Sequence, residues 1–392
     1  MHILYYFSII LFAGLIVARI LSKVKLPNVT GYLIAGILIG PSIMKLIPKD
    51  AASSLSIISE IALGFIAYGI GSEFNIRHIK KMGKSIIWIT IFEALGAVVL
   101  VDIFMIFVFK QSVPFSLMLG AIAAATAPAA TIMVIRQYKA KGPVVNTLLP
   151  VVAIDDAVGI IAFGISSAIA KMLMNPNKDF SVAKAILIPI WEIIFALIIG
   201  FVIGILLAYI SSKAKGEDEL LVITIASILL ALGLAKHFNV STLLACMMLG
   251  ATIANMAQNS NRLLSIVDRV TPPIFVAFFT LAGVDLDLGV LKDVGLIGIG
   301  YVFVRVIGKF FGAYLGAYIT NAPKTVQKYL GFTLIPQAGV AIGLSMIAEQ
   351  SVPGRGAAIR TIILAGTVIY ELVGPVTTKL ALIKAGEIQT AE

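Results

Sequence analysis

Charge is scarce in this chain: only 13% of its 392 residues are Asp, Glu, Lys or Arg, about half the usual share of a water-soluble globular protein. That shortage excludes a soluble enzyme, a disordered chain and a nucleic-acid-binding domain. Cysteine is nearly absent. The single Cys246 permits no internal disulfide and no cysteine metal site. The 3 histidines lie at segment ends or near the N-terminus, which leaves no His-based metal site and no Ser-His-Asp triad. With no nucleophile–base constellation in the chain, neither an enzyme nor a cofactor is expected.

What is present is apolar. Hydrophobic residues make up 59% of the chain, and mean hydropathy is +1.03. The expectation is a polytopic helical membrane protein forming a single unit. The net charge of +10 sits in short loops, where Lys and Arg set topology and meet anionic lipid headgroups. No nucleic-acid partner is implied. Met1–Leu21 has neither a basic n-region nor a cleavage pattern and reads as a retained first span.

A span needs about 20 mostly apolar residues. Runs between polar breaks give thirteen segments: 2–21, 29–47, 55–73, 85–109, 114–135, 143–171, 185–211, 219–236, 239–257, 263–284, 289–319, 325–348 and 357–382. Only Lys236–Asn239 separates the eighth from the ninth, and their merger would leave twelve. Lys and Arg cluster in the odd-numbered connections, including Arg77, Lys80, Lys81 and Lys84. By the positive-inside tendency these face the cytoplasm, with the N-terminus outside and the C-terminus inside.

A charge at mid-bilayer costs about 2.5–3.5 kcal/mol by insertion scales, so ionisable residues left inside runs are functional candidates. Asp155 and Asp156 lie near the centre of the sixth run. Neighbours on a helix point about 100° apart, so one environment cannot serve both. Adjacent carboxylates oppose each other's ionisation, which suits the pair to trading a proton for a hard monovalent cation such as Na+. The competing reading is a structural pair, each acid neutralised by a base or a helix end. Arg305 and Lys309 share one face of the eleventh run and repel unless each has a partner. Lys309 is preferred as the aspartate's partner, because lysine responds to desolvation and arginine stays charged. Arg305 is the structural candidate, and the roles could be exchanged. Glu371 in the last run is a candidate supporting acid. Glu60 and Glu93 read as lipid-shielded, protonated acids, and Asp102 as an acid near an interface.

Two runs carry breaks. Thr126, Ala127 and Pro128 interrupt the fifth; Pro336, Gln337 and Gly339 interrupt the twelfth. Proline removes a helix hydrogen bond and disfavours helix in the residue before it. Unwound backbone at membrane depth survives only where protein buries it or a cavity runs beside it. Interrupted spans in corresponding halves point to a transporter binding site. Gly200-x-x-x-Gly204 and Gly312-x-x-x-Gly316 read as close helix packing.

The segments TAPAATIMVI, LPVVAIDDAVGI, VRVIGKFFGAYLGA, PQAGVAIGLS and YELVGP, with NVTGYLIAGILIGP near the N-terminus, resemble the bacterial and archaeal sodium/proton antiporters of the monovalent cation/proton antiporter superfamily. The branch they resemble most is related to the Kef potassium-efflux transporters. The resemblance implies an all-α membrane fold of about 13 transmembrane helices, with inverted repeats and two crossed discontinuous helices. It implies a dimerisation part at 1–84 and 219–284, a linker helix at 185–211, and a core ion-translocation part at 85–171 and 289–382. It further implies a homodimer in a prokaryotic cell membrane and elevator-like movement of the core. Asp156 would bind Na+ and protons, Asp155 would assist and pair with the base of the eleventh span, and Thr126 would lie at the crossing. Two acids, where electroneutral relatives carry Asn-Asp, resemble the electrogenic type that exchanges two protons per Na+. The end of the chain at Glu392, soon after the last span, argues against a ligand-gated potassium-efflux role. The activity expected is Na+ (or Li+)/H+ exchange. K+/H+ exchange, sodium-coupled symport of an organic anion, and a channel or sensor are the competitors.

Overall fold

Proline and glycine decide where the apolar runs become helix. The computed structural model describes residues 2–72, 83–174, 182–214, 216–257, 260–286, 295–352 and 354–388. Arg77, Lys80 and Lys81 lie outside the described residues, as does the side chain of Asp156. Among the described residues the regular structure is entirely helical. The first helices are α1 (Ile3–Ser22), α2 (Asn28–Ile39), a short α3 (Lys49–Ser54) and α4 (Ser56–Ser72). Next come α5 (Lys84–Ile103), α6 (Val113–Ala123), α7 (Pro128–Tyr138), α8 (Pro143–Met174) and α9 (Val182–Ser211). The rest are α10 (Glu217–His237), α11 (Thr242–Met256), α12 (Ser260–Asp285), α13 (Gly295–Ile319), α14 (Lys324–Thr333), α15 (Gly339–Ser351) and α16 (Gly356–Lys384). Among the described residues, eight helical stretches are long and apolar enough to cross a membrane, and shorter apolar helices accompany them.

Two boundaries differ from, or sharpen, the sequence expectation. The second run is helical only to Ile39, because Gly40 turns extended at ψ −178° and Pro41 follows. Residues 40–48 then run as a turn and irregular chain instead of the helix expected to 47. The doubtful boundary between the eighth and ninth runs resolves into two helices. Asn239 takes a left-handed φ of 54°, and the Ser241 side chain caps α11 by accepting from the Leu244 N–H at 3.2 Å.

Helix packing gathers the apolar side chains into clusters. One takes Leu33, Phe65, Tyr68, Ile228, Leu249 and Phe279 from α2, α4 and α10–α12, and extends through Ile132 of α7, Ala153 of α8, Ile199 of α9 and Val368 of α16. A second joins Val101, Leu119, Phe163, Tyr301, Leu344 and Tyr370, from α5, α6, α8, α13, α15 and α16. Glycines set the closest approaches. A Cβ at Gly312 of α13 would stand 2.2 Å from the Phe92 carbonyl oxygen of α5, and one at Gly200 of α9 would stand 2.1 Å from that of Ala245 on α11. Large side chains turned outward, such as Phe12, Trp191, Val202 and Phe303, supply the apolar exterior a lipid-facing surface needs.

Candidate functional site

Two helices are broken where their prolines stand, and the breaks meet. α6 ends at Ala123, residues 124–127 are not helical, and α7 restarts with Pro128 at its first position. Ala127, directly before that proline, is extended at φ −100°, ψ 102°. α14 ends at Thr333 and α15 restarts at Gly339. The Ala127 N–H donates to the Pro336 carbonyl at 2.8 Å, tying one break to the other. Gln337 is fully buried; its Nε2 donates to the Ile122 carbonyl at 2.8 Å, and it exchanges a hydrogen bond with the Tyr301 hydroxyl at 3.2 Å. Thr131 of α7 donates to the Thr333 carbonyl at 3.0 Å.

Unwinding leaves carbonyls unpaired at the C-terminal ends of α6 and α14, where the helix dipoles also concentrate negative charge. Both basic residues of α13 answer them. Arg305 donates to the carbonyls of Ala123 (3.0 Å), Ile335 (2.8 Å) and Ala125 (2.7 Å), and its guanidinium stacks 4.5 Å from the Tyr370 ring centroid. Lys309 donates to the Ala124 carbonyl and to Thr126 Oγ1 at 2.7 Å. Its Nζ also reaches Glu93 Oε2 at 2.7 Å and Asp155 Oδ2 at 3.3 Å. Arg305, Lys309, Glu93 and Asp155 are all 0% exposed.

The fold thus brings together Asp155, Lys309, Arg305, Thr126, Ala127, Pro128, Pro336 and Gln337, with Gly339 opening α15. Asp156 follows Asp155 on α8. Cavities lie beside this helix. One of about 450 Å³ is lined by residues including Ile160, Glu192, Val340 and Gly343, and one of about 210 Å³ by residues including Ala153, Ala157, Leu244 and Met247. Glu371 is buried on α16 with no partner for its Oε1 among the described residues, and no ion pair there joins it to Lys309.

Glu93 corrects the sequence expectation of a lipid-shielded acid: it is the nearer of two carboxylates on Lys309. The available signal was its mid-helix position beside Gly96 and Ala97, small residues that admit a close neighbour. Glu60 is likewise no isolated acid. It pairs with Lys236 at 2.6 Å, both side chains half exposed or more.

The sodium/hydrogen exchanger, transmembrane family matches residues 7–384. The Na(+)/H(+) antiporter NhaS4 of Synechocystis sp. is 25% identical over 352 residues, spanning 83% of this chain and 85% of that one. The probable Na(+)/H(+) antiporter 2 of Methanocaldococcus jannaschii is 27% identical over 319 residues, spanning 74% and 71%. The solved structure of the sodium proton antiporter MjNhaP1 from Methanocaldococcus jannaschii at pH 8 superposes with a TM-score of 0.70 at 20% identity, over 98% of this chain and 96% of that one.

Proposed function

The chain belongs to the sodium/hydrogen exchanger family, and from that premise we propose that it moves Na+ one way and H+ the other by competition at Asp155 and Asp156. The observation that carries the site assignment is the fully buried Lys309–Asp155 pair at 3.3 Å beside two crossed helix breaks. A bare carboxylate in such a place is costly, so the acids require a proton, a lysine or a metal cation. Na+ arriving at Asp156 displaces protons; protons arriving displace Na+. Movement of the site across the membrane is allowed only when one of them is bound, and that rule couples the fluxes. With both acids taking protons, the exchange is electrogenic.

The proposed moving core is α5–α8 with α13–α16. α1–α4 and α10–α12 form a static part and the contact of a homodimer, and α9 links the two. Support comes from the hydrophobic cluster that stays within the proposed core, on α5, α6, α8, α13, α15 and α16, and from the cavity between α8, α9 and α11. The N-terminus is assigned outside and the C-terminus to the cytoplasm.

Reconstitution in proteoliposomes tests this. An imposed Na+ gradient should drive proton movement and a membrane current, and Asp156→Asn should abolish both. Undiminished exchange in that variant rejects the assignment, and exchange driven by K+ but not by Na+ or Li+ reassigns the cation.

A further inference from the structure

Lys309 has more acceptors than protons. Its ammonium carries three N–H groups, yet Glu93, Ala124, Thr126 and Asp155 all stand within reach. The surplus acceptor is the longest contact, Asp155 at 3.3 Å; Glu93 is at 2.7 Å. The backbone enforces this ranking. α5 and α13 are closest beside Glu93 itself, where a Cβ on Gly312 would lie 2.7 Å from the Glu93 Cα. Glu93 and Lys309 therefore sit on two helices in backbone contact, and Asp155 arrives from a third, α8. Two carboxylates also face one ammonium, since Arg305 is engaged with carbonyls. Glu93 Oε1 and Asp155 Oδ1, both buried, have no hydrogen-bond partner among the described residues. When both acids are ionised, the cluster is one positive charge short.

We infer that Glu93 is the standing counter-ion of Lys309, a positioning residue that frees Asp155 to leave the lysine for an incoming cation or proton. Stranding a buried ammonium costs several kcal/mol. With Glu93 in place, Asp155 departs and Lys309 keeps its proton and three acceptors. Without Glu93, the departure of Asp155 leaves the ammonium facing no carboxylate. Among the described residues, the charged groups set against Lys309 are Glu93 from α5 and Asp155 from α8. Arg305 lies one turn away on α13, with Tyr301 and Tyr370 beside it; α14, also packed on α13, brings no charged group to the cluster.

The inference rests on the exchange reading and is tested separately from it. In proteoliposomes, the wild-type chain and Asp156→Asn first establish Na+-driven proton exchange and its loss; failure there rejects that reading and leaves Glu93 aside. Given exchange, Glu93→Gln should raise the apparent KM for Na+ about tenfold or more, the scale set by breaking a buried pair. The maximal rate should be little changed. In a Lys309→Gln background, adding Glu93→Gln should leave the KM unmoved, because the lysine that Glu93 restrains is gone. A wild-type KM in Glu93→Gln overturns the inference, as does an equal KM increase in both backgrounds. If Glu93→Gln alone yields no folded protein, the comparison of Lys309→Gln with the double variant decides by the same criterion.

Discussion

Two bases, one turn apart on α13, do different work. Arg305 spreads a rigid fork over three carbonyls from two broken helices, a geometry that suits a planar guanidinium. Lys309 offers a point charge to a set of acceptors that includes two acids. Replacing Arg305 therefore attacks the crossing itself. Arg305→Gln should strip donors from buried carbonyls at about 1–3 kcal/mol each, seen as a lower thermal midpoint of the detergent-solubilised protein. A midpoint equal to wild type would mean that the crossing does not depend on this residue. The adjacency of Asp155 and Asp156 and the i, i+4 spacing of the two bases were legible as costly intramembrane charge. Of Glu93, the small residues beside it signalled a close neighbour but not which one. One glutamate in one apolar run carries no mark of its partner, which is set by how closely α5 lies against α13.

Helix α8 carries the acidic pair, and its start is held from the far end of the chain. Glu387 is buried and its carboxylate accepts from the backbone N–H groups of Val144 at 2.6 Å and Val145 at 2.9 Å. A negative group there completes donors that a helix start leaves open and meets the positive end of its dipole. Glu387→Ala should weaken the first turn of α8 by about 1 kcal/mol, which amide hydrogen exchange at Val144 and Val145 would register as faster exchange. Unchanged exchange would show that water caps the turn as well. The helix breaks at 124–127 and 334–338 were readable from Pro128 and Pro336, since proline acts on its own neighbours. The early end of α2 at Ile39 was signalled by Gly40-Pro41 but masked by the apolar residues that follow. The Glu387 cap had no local signature, because its partners are more than 240 positions away in sequence.

At the scale of the whole molecule, composition settled the class: too little charge and too much apolar surface for anything but a helical membrane protein, and the family match agrees. How the helices sort into groups needed the packing, since every run is apolar and none announces which neighbour it prefers. Between α8 and α11 lies a cavity of about 210 Å³ with an apolar lining that includes Ala153, Ala157, Leu244, Met247, Met248 and Ala251. In the proposed movement of the core, what such a space opposes to a passing helix is the bulk of its lining side chains. Enlarging one of them should act as a brake. Ala251→Phe should slow turnover while the apparent KM for Na+ stays near wild type, read from the concentration dependence of uptake. A changed KM at full speed would place the resistance in the ion site instead. On this view the turnover rate of the exchanger is tuned by side-chain bulk at residues that carry no ion-binding group.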